Sequence, residues 1–403
     1  MAAVPFGLTS YPLGQLVITD VNLYAAWARL LSSGVFPVFD PMWQYPPLAA
    51  PLFMISATGD NPQRMFMAVA LIADALALLA LLLGARRSGR LAGAWLWAAA
   101  AGIIGPVFLT RFDVFPTTAV MIGLLLVATR PFWAGAAVGL GAALKVWPVL
   151  ALAALRRADL PRGVAGFFSV IVLTSAAMWA WFGESAWSFL SGQSERGLQI
   201  ESTAALPFVL AHAGGADIAV RYRYGSMEVD MPGAGMAAML TTVIGLLLLC
   251  SIAWARLSGR LERVPGPDVA FAAVLVSVVF SRVFSPQYSI WLVGIAAVCL
   301  TGANSRMQTP AVLVAVAAVL TQAIFPPLYT ELIYGEVLPA ALQTARIVLV
   351  VTAMVLALRS IWRGAGGPRR SAQASGSRPS SSIVNRAEIS SQRQERSIQA
   401  RPA

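Results

Sequence analysis

Charge is what this sequence has least of. Asp, Glu, Lys and Arg make up 12% of its 403 residues, against 58% hydrophobic ones, whereas a water-soluble domain carries about 25% charged residues. So few charges cannot clothe a surface in water, which excludes a soluble enzyme and a disordered regulator. Cysteine is scarce too. Cys250 and Cys299 both lie in long apolar runs, which excludes a secreted disulfide scaffold and offers no zinc-ligand spacing. Histidine occurs once, at His212, and reads as a polar loop residue rather than a base. Walker loops, a Rossmann glycine fingerprint, HExxH and paired CxxC are all missing, and Glu228-Val229-Asp230 only weakly imitates an Asp-x-Asp metal motif. A soluble nucleotide-sugar enzyme is therefore unsupported.

What is present is a series of long apolar runs. A transmembrane helix needs about 20 mostly apolar residues to cross roughly 30 Å of hydrocarbon. Candidates are Met65–Gly84, Leu91–Thr110, Asp113–Ala128, Gly163–Phe182, Gly235–Ala255, Val269–Phe284, Tyr288–Ala303, Pro310–Pro326 and Leu338–Leu358. A further stretch, Phe132–Leu155, is interrupted by Lys145-Val146-Trp147-Pro148. The fold class is thus all-α, a polytopic transmembrane bundle of about 9–11 segments.

The net charge of +11 does not point to nucleic acid, because of where it sits. Nine of the 28 arginines fall within residues 359–403, and most others cluster between apolar runs, at Arg86/Arg87/Arg90, Arg156/Arg157/Arg162 and Arg256/Arg260/Arg263. Such clusters mark the cytoplasmic side of a membrane protein and favour anionic membrane lipid. If all are cytoplasmic, the chain crosses an even number of times between any two. Phe132–Leu155 then reads as a re-entrant or broken pair turning near Lys145–Pro148, where proline interrupts the helix; the alternative is a straight span with one arginine cluster on the other side. Three parts follow. Residues 1–64 form an extracytoplasmic segment, which an upstream transmembrane helix is expected to precede. Residues 65–358 form the transmembrane core, and 359–403 a disordered, Ser-, Arg- and Gln-rich cytoplasmic tail.

Polar and aromatic residues concentrate on the outer face. Asp20, Tyr24 and Trp27 recur at i, i+4 and i+7 and so share one side of a short helix, followed by Trp43 and Tyr45. A carboxylate among aromatic rings suits a sugar site, the rings stacking on pyranose faces while the carboxylate takes a hydroxyl proton. The same residues also suit an interfacial aromatic belt, and both readings stay open. Three features point to an anionic ligand. Arg111-Phe112-Asp113 lies at an outer turn, where arginine can bind phosphate, though a local ion pair is the plainer account. Lys145 would cost roughly 2.5–3.5 kcal/mol at a helix centre, so it needs a partner, a cavity or a path to water. Arg282 ends a span beside a proline break.

These residues resemble glycosyltransferase family 87. The resemblance lies in Asp20-Val-Asn-Leu-Tyr24, Gly34 to Pro37, Tyr45-Pro46-Pro47-Leu48, Arg111-Phe112-Asp113, Ala134-Gly135 through Gly139 to Lys145-Val-Trp147-Pro148, and Phe284-Ser-Pro-Gln287-Tyr288 with Trp291. It spans residues 19–300. Two departures are the missing helix before Asp20 and Arg282, where many relatives have lysine. The resemblance implies a GT-C-fold enzyme that takes mannose, or in some members arabinofuranose, from a polyprenyl-phosphate donor. Its acceptor would be an envelope glycolipid or glycan, and no cofactor or metal is required. It further implies Asp20 as general base in an inverting transfer, and Arg282, Arg111 and Lys145 on the donor phosphate. Asp113, Tyr24, Trp27, Trp43, Tyr45, Trp147, Gln287 and Tyr288 would bind sugar or acceptor. The competing classes are a lipid-linked-sugar flippase or transporter and a non-catalytic envelope-synthesis subunit.

Overall fold

The computed structural model describes residues 14–40, 42–193 and 197–365. The expectations for an upstream helix and for a disordered tail beyond residue 365 lie outside the described residues. The described chain is a helical membrane bundle. Its helices are α1 Gly14–Ser32, α2 Ala49–Ser56, α3 Pro62–Ser88, α4 Ala92–Ile104, α5 Val107–Thr110, α6 Val114–Leu126, α7 Pro131–Leu144 and α8 Leu160–Phe182. After these come α9 Leu206–Ala213, α10 Ala234–Leu257, α11 Gly266–Val279, α12 Tyr288–Thr301, α13 Gln308–Ile324, α14 Tyr329–Ile333 and α15 Val337–Ala365. Each expected span is thus a helix with ends shifted by a few residues, and Gly105-Pro106 breaks one of them into α4 and α5. Beyond the all-helical expectation, the segment between α8 and α10 carries a small antiparallel sheet of order β1-β3-β2: β1 Leu198–Gln199, β2 Val220–Arg223 and β3 Ser226–Val229.

Burial sorts the helices into two kinds. On α11 and α12 nearly every residue is buried, as expected of helices that are apolar on all sides and sit at the centre. By contrast α3, α8, α10 and α15 are long and apolar enough to cross a membrane. They leave rows of large side chains uncovered, such as Leu76, Leu79 and Leu83 on α3 or Ile244, Leu246 and Leu247 on α10. Water would not tolerate so broad an apolar surface, but hydrocarbon does.

The arginine clusters meet at one end of this bundle. Arg157 N–H donates to Glu262 Oε1 (2.7 Å), and buried Arg256 donates to the carbonyls of Ala154, Leu155 and Leu261. Ser305, just past α12, donates to Asp268 at the start of α11 (2.7 Å). The start of α4, next to Arg90, packs at Gly93 against Ala297 and Thr301 near the end of α12.

The interrupted stretch behaves as its sequence suggests. Helix α7 stops at Lys145, whose backbone is extended (φ −157°, ψ 140°), and the return leg Trp147–Ala154 is a 3-10 helix rather than an α-helix. Pro148 comes back beside Gly141, and Leu155 beside Ala134 and Gly135, so both ends of the pair lie at the arginine end and Lys145 is its apex. The α7–α8 contact is closer than side chains allow. A Cβ on Gly135 would stand 1.8 Å from the Gly163 carbonyl oxygen, and one on Gly166 2.0 Å from that of Phe132.

Candidate active site

The candidate site residues converge at the opposite end, on helix termini and the turns between them. On α1, Val21, Tyr24, Trp27, Ala28 and Leu31 are buried, and Asp20 continues that face at the rim, half-buried. The turn between α5 and α6 supplies Arg111 and Asp113, with Asp113 at the N-terminus of α6, where a carboxylate is favoured by the helix dipole. The α7 apex supplies Lys145, and Ser285–Trp291, leading into α12, supplies a further wall.

Two ion pairs organise these charges. Arg111 Nη1 lies 3.1 Å from Asp20 Oδ2, and Lys145 Nζ lies 2.7 Å from Asp113 Oδ1. In each pair one partner faces open space and the other is covered: the Asp20 and Lys145 side chains are 31% and 21% exposed, those of Arg111 and Asp113 7% and 1%. Asp113 Oδ1 also accepts from Trp291 Nε1, while its Oδ2 finds no partner among the described residues. Lys145 Nζ stands 5.3 Å from the Trp291 ring centre and 5.7 Å from that of Tyr45, within cation–π range. Trp147, Trp291 and Tyr288 form a stack with centroids 4.7 and 3.8 Å apart.

Asp20 and Lys145 border one cavity of about 250 Å³. Gln44, Tyr45, Trp147, Ser285, Gln287, Tyr288 and Trp291 line it, together with Tyr224, Gly225 and Ser226 from the tip of the β2–β3 hairpin. Of the three cations expected at a donor phosphate, Lys145 lines the cavity. Arg111 sits behind Asp20. Arg282 is half-buried outside the lining, its carbonyl accepting from Gln199 N–H. The expected aromatic wall is mostly a foundation. Tyr24 and Trp27 touch the cavity, yet both are 1% exposed, their rings packed against each other and against Phe53, with Phe66 also on Tyr24. Trp43, 3% exposed, is outside the lining. Tyr24 and Tyr45 share a hydroxyl–hydroxyl bond of 2.9 Å, and burial pushes both phenols up, so they stay neutral. His212 bonds the carbonyls of Ala216 and Ile333 and pins a loop. Asp230 pairs with Arg221 and Arg223.

A buried polar network that the sequence did not suggest holds the far wall. Gln199 Oε1 accepts from Phe284 N–H (2.8 Å), and Gln199 Nε2 donates to Glu201 Oε2 (3.0 Å). Arg346 on α15 donates to Glu201 Oε1 and, with Gln343, to the Glu201 carbonyl. Burial pushes the Glu201 carboxyl up to about 7, against the pull of Arg346 and of a hydrogen bond from Tyr329. The available signal was Arg346 itself, a cation inside an otherwise apolar span.

The family model for glycosyltransferase family 87 matches residues 43–286, more than half of the chain. The chain belongs to glycosyltransferase family 87. No curated protein and no solved structure gives a match. Membership makes it a membrane glycosyltransferase, with a sugar donor and an acceptor as substrates. The family-87 match takes in Tyr45, Arg111, Asp113, Lys145, Trp147 and Ser285, while Asp20, Gln287 and Tyr288 fall outside it. Those three reach the family-87 portion through the Asp20–Arg111 pair and the shared cavity.

Proposed function

We propose that this glycosyltransferase moves mannose from a polyprenyl-phosphate donor to a hydroxyl of an envelope glycolipid or glycan, with inversion, on the extracytoplasmic side. The observation that carries this reading is one cavity bordered by an anion and a cation, each backed by a covered partner of opposite sign. Asp20 takes the proton of the acceptor hydroxyl as its oxygen bonds to the anomeric carbon. Such base catalysis contributes about 10²–10⁴-fold. The bond from that carbon to the phosphate oxygen breaks in the same step, and the lipid phosphate departs with the electron pair. An anionic leaving group calls for a cation rather than an acid, and Lys145 is the cation in the cavity. Arg111 and Asp113 hold Asp20 and Lys145 in place. The arginine loops at the other end fit the cytoplasmic side, with the tail.

The test is transfer of radiolabel from polyprenyl-phosphate-mannose in membranes, comparing the parent with Asp20→Asn. The expected result is label transfer by the parent and nearly none by the variant, at equal membrane content. Wild-type turnover by Asp20→Asn would remove the base assignment. Transfer from the arabinose donor alone would replace the sugar, and none from either would return the flippase and subunit readings.

A further inference from the structure

The hairpin whose tip lines the cavity has a strained turn. Strands β2 and β3 are joined by Tyr224-Gly225 with φ +49° and +78°. Positive φ at both central residues makes a tight mirror-image turn, for which Asn-Gly or Asp-Gly is the usual pair. A tyrosine there is strained by roughly 1–2 kcal/mol, and it is the one non-glycine residue with positive φ among the described residues. Retaining an aromatic ring in such a conformation points to a use for the ring.

The surroundings say what the use is. The hairpin is anchored at its base, where β3 also pairs with β1 and Glu228 is buried. At the tip, Gln44 Nε2 donates to the Tyr224 carbonyl (3.3 Å), and Gly225 sits so close to Met42 that a Cβ would stand 2.6 Å from Met42 Cε. Tyr224 lines the cavity. Tyr222, on β2 itself, is 62% exposed and lies outside the cavity lining. The alternate residues Arg221 and Arg223 pair with Asp230 (2.8 and 3.6 Å). Around Asp20 the cavity is lined by rings, hydroxyls and amides, Gln44, Tyr224, Ser226 and Gln287 among them, which suits a polyhydroxyl ligand, while Lys145 stands beside Tyr45 and Trp291.

We propose that Tyr224 forms the acceptor subsite, a platform on which the terminal neutral hexopyranose of a glycan or glycolipid stacks with its attacking hydroxyl at Asp20. This rests on the reading of Asp20 as the base. The donor phosphate belongs instead to Lys145, whose ring neighbours are Tyr45 and Trp291. The platform replaces the buried rings of Tyr24, Trp27 and Trp43 as the stacking surface for the acceptor.

The test uses octyl α-D-mannopyranoside as acceptor probe with the full-length protein. Tyr224→Gly keeps the turn, because glycine adopts positive φ freely, and deletes only the ring; Tyr222→Ala, outside the cavity lining, is the control. Expected in Tyr224→Gly is an acceptor KM raised about tenfold or more, as when a stacking anchor is lost, with donor KM unchanged and Tyr222→Ala near the parent. A second measurement needs no donor: the change in tryptophan fluorescence caused by the octyl mannoside should weaken in Tyr224→Gly. Tyrosine-dependent binding without any transfer would keep the subsite and remove the donor reading. Transfer with an unaltered acceptor KM, a rise in donor KM instead, or binding that ignores Tyr224 would overturn the subsite.

Discussion

The pair of Lys145 with Asp113 allows a prediction in which the two halves of one interaction differ in cost. Nζ and Oδ1 are 2.7 Å apart, but the carboxylate is 1% exposed and the ammonium 21%. Two unit charges that close attract by about 6 kcal/mol at an effective dielectric of 20, before desolvation is subtracted. Lys145→Met leaves a covered carboxylate with one Trp291 N–H and an Oδ2 that has no partner among the described residues. Removing one partner of a buried pair costs about 3–5 kcal/mol, and this case belongs in that range. Asp113→Asn leaves the ammonium instead, which can turn to water in the cavity and still meet an amide oxygen. Its cost should be about 1–2 kcal/mol, near that of a lost charge-assisted hydrogen bond. The double variant buries neither charge, so it should be no less stable than Lys145→Met alone, with a coupling of about 1.5–3 kcal/mol. Denaturant unfolding of detergent-purified protein, followed by tryptophan fluorescence, measures all four corners. An Asp113→Asn cost equal to or above that of Lys145→Met, or additivity within about 0.5 kcal/mol, would refute the pairing and the depth assigned to each partner.

Glu201 should give the protein a pH-dependent stability. Its carboxyl ionises near 7 rather than 4.5, so its contribution is fully present below pH 4.5 and is lost as pH rises through 7, by about 3 kcal/mol in all. Melting temperature measured from pH 5 to pH 8 should fall in the parent and lose that slope in Glu201→Gln; the same slope in both would assign it elsewhere. The α7–α8 contact should reject even one methyl group. Gly135→Ala and Gly166→Ala would drive a Cβ into backbone oxygen, at a cost of about 1–3 kcal/mol or more. Gly102→Ala on α4, with nothing within 4 Å, should be neutral or better. Thermal stability in detergent compares the three, and tolerance at Gly135 and Gly166 would mean the helices sit farther apart.

Much of the frame was legible because membrane spans carry their own signal. Apolar runs mark α3, α8, α10 and α15 directly, and arginine parity demanded a turn at Lys145–Pro148, where α7 does turn. The Asp20–Tyr24–Trp27 face followed from helical spacing alone. What the rings on that face do was not legible, since aromatic residues near a carboxylate look alike whether they meet a ligand or one another. Phe53, Phe66 and Phe112 decide the matter, and they arrive from three other segments. Glu201, Gln199 and Arg346 were missed for the same reason, their partners lying far apart in the chain. The β2–β3 hairpin had a readable cue, a two-residue link ending in glycine between short alternating runs. It was hidden by the apolar signal on either side.

The charge arrangement also explains why the site needs four ionisable groups when two touch the cavity. Asp20, Arg111, Lys145 and Asp113 sum to zero, which limits the cost of placing them among covered aromatic rings. On the proposed mechanism, transfer moves one negative charge across this array, from Asp20, which gains a proton, to the departing phosphate beside Lys145. Lys145 favours that movement, since its attraction grows as the phosphate gains charge. Asp113 tempers Lys145 in turn, so that the cation does not hold the spent lipid phosphate too tightly to release it. Each cavity-facing group is thus set against a covered partner that keeps its charge useful at one stage of the transfer and bearable at the others.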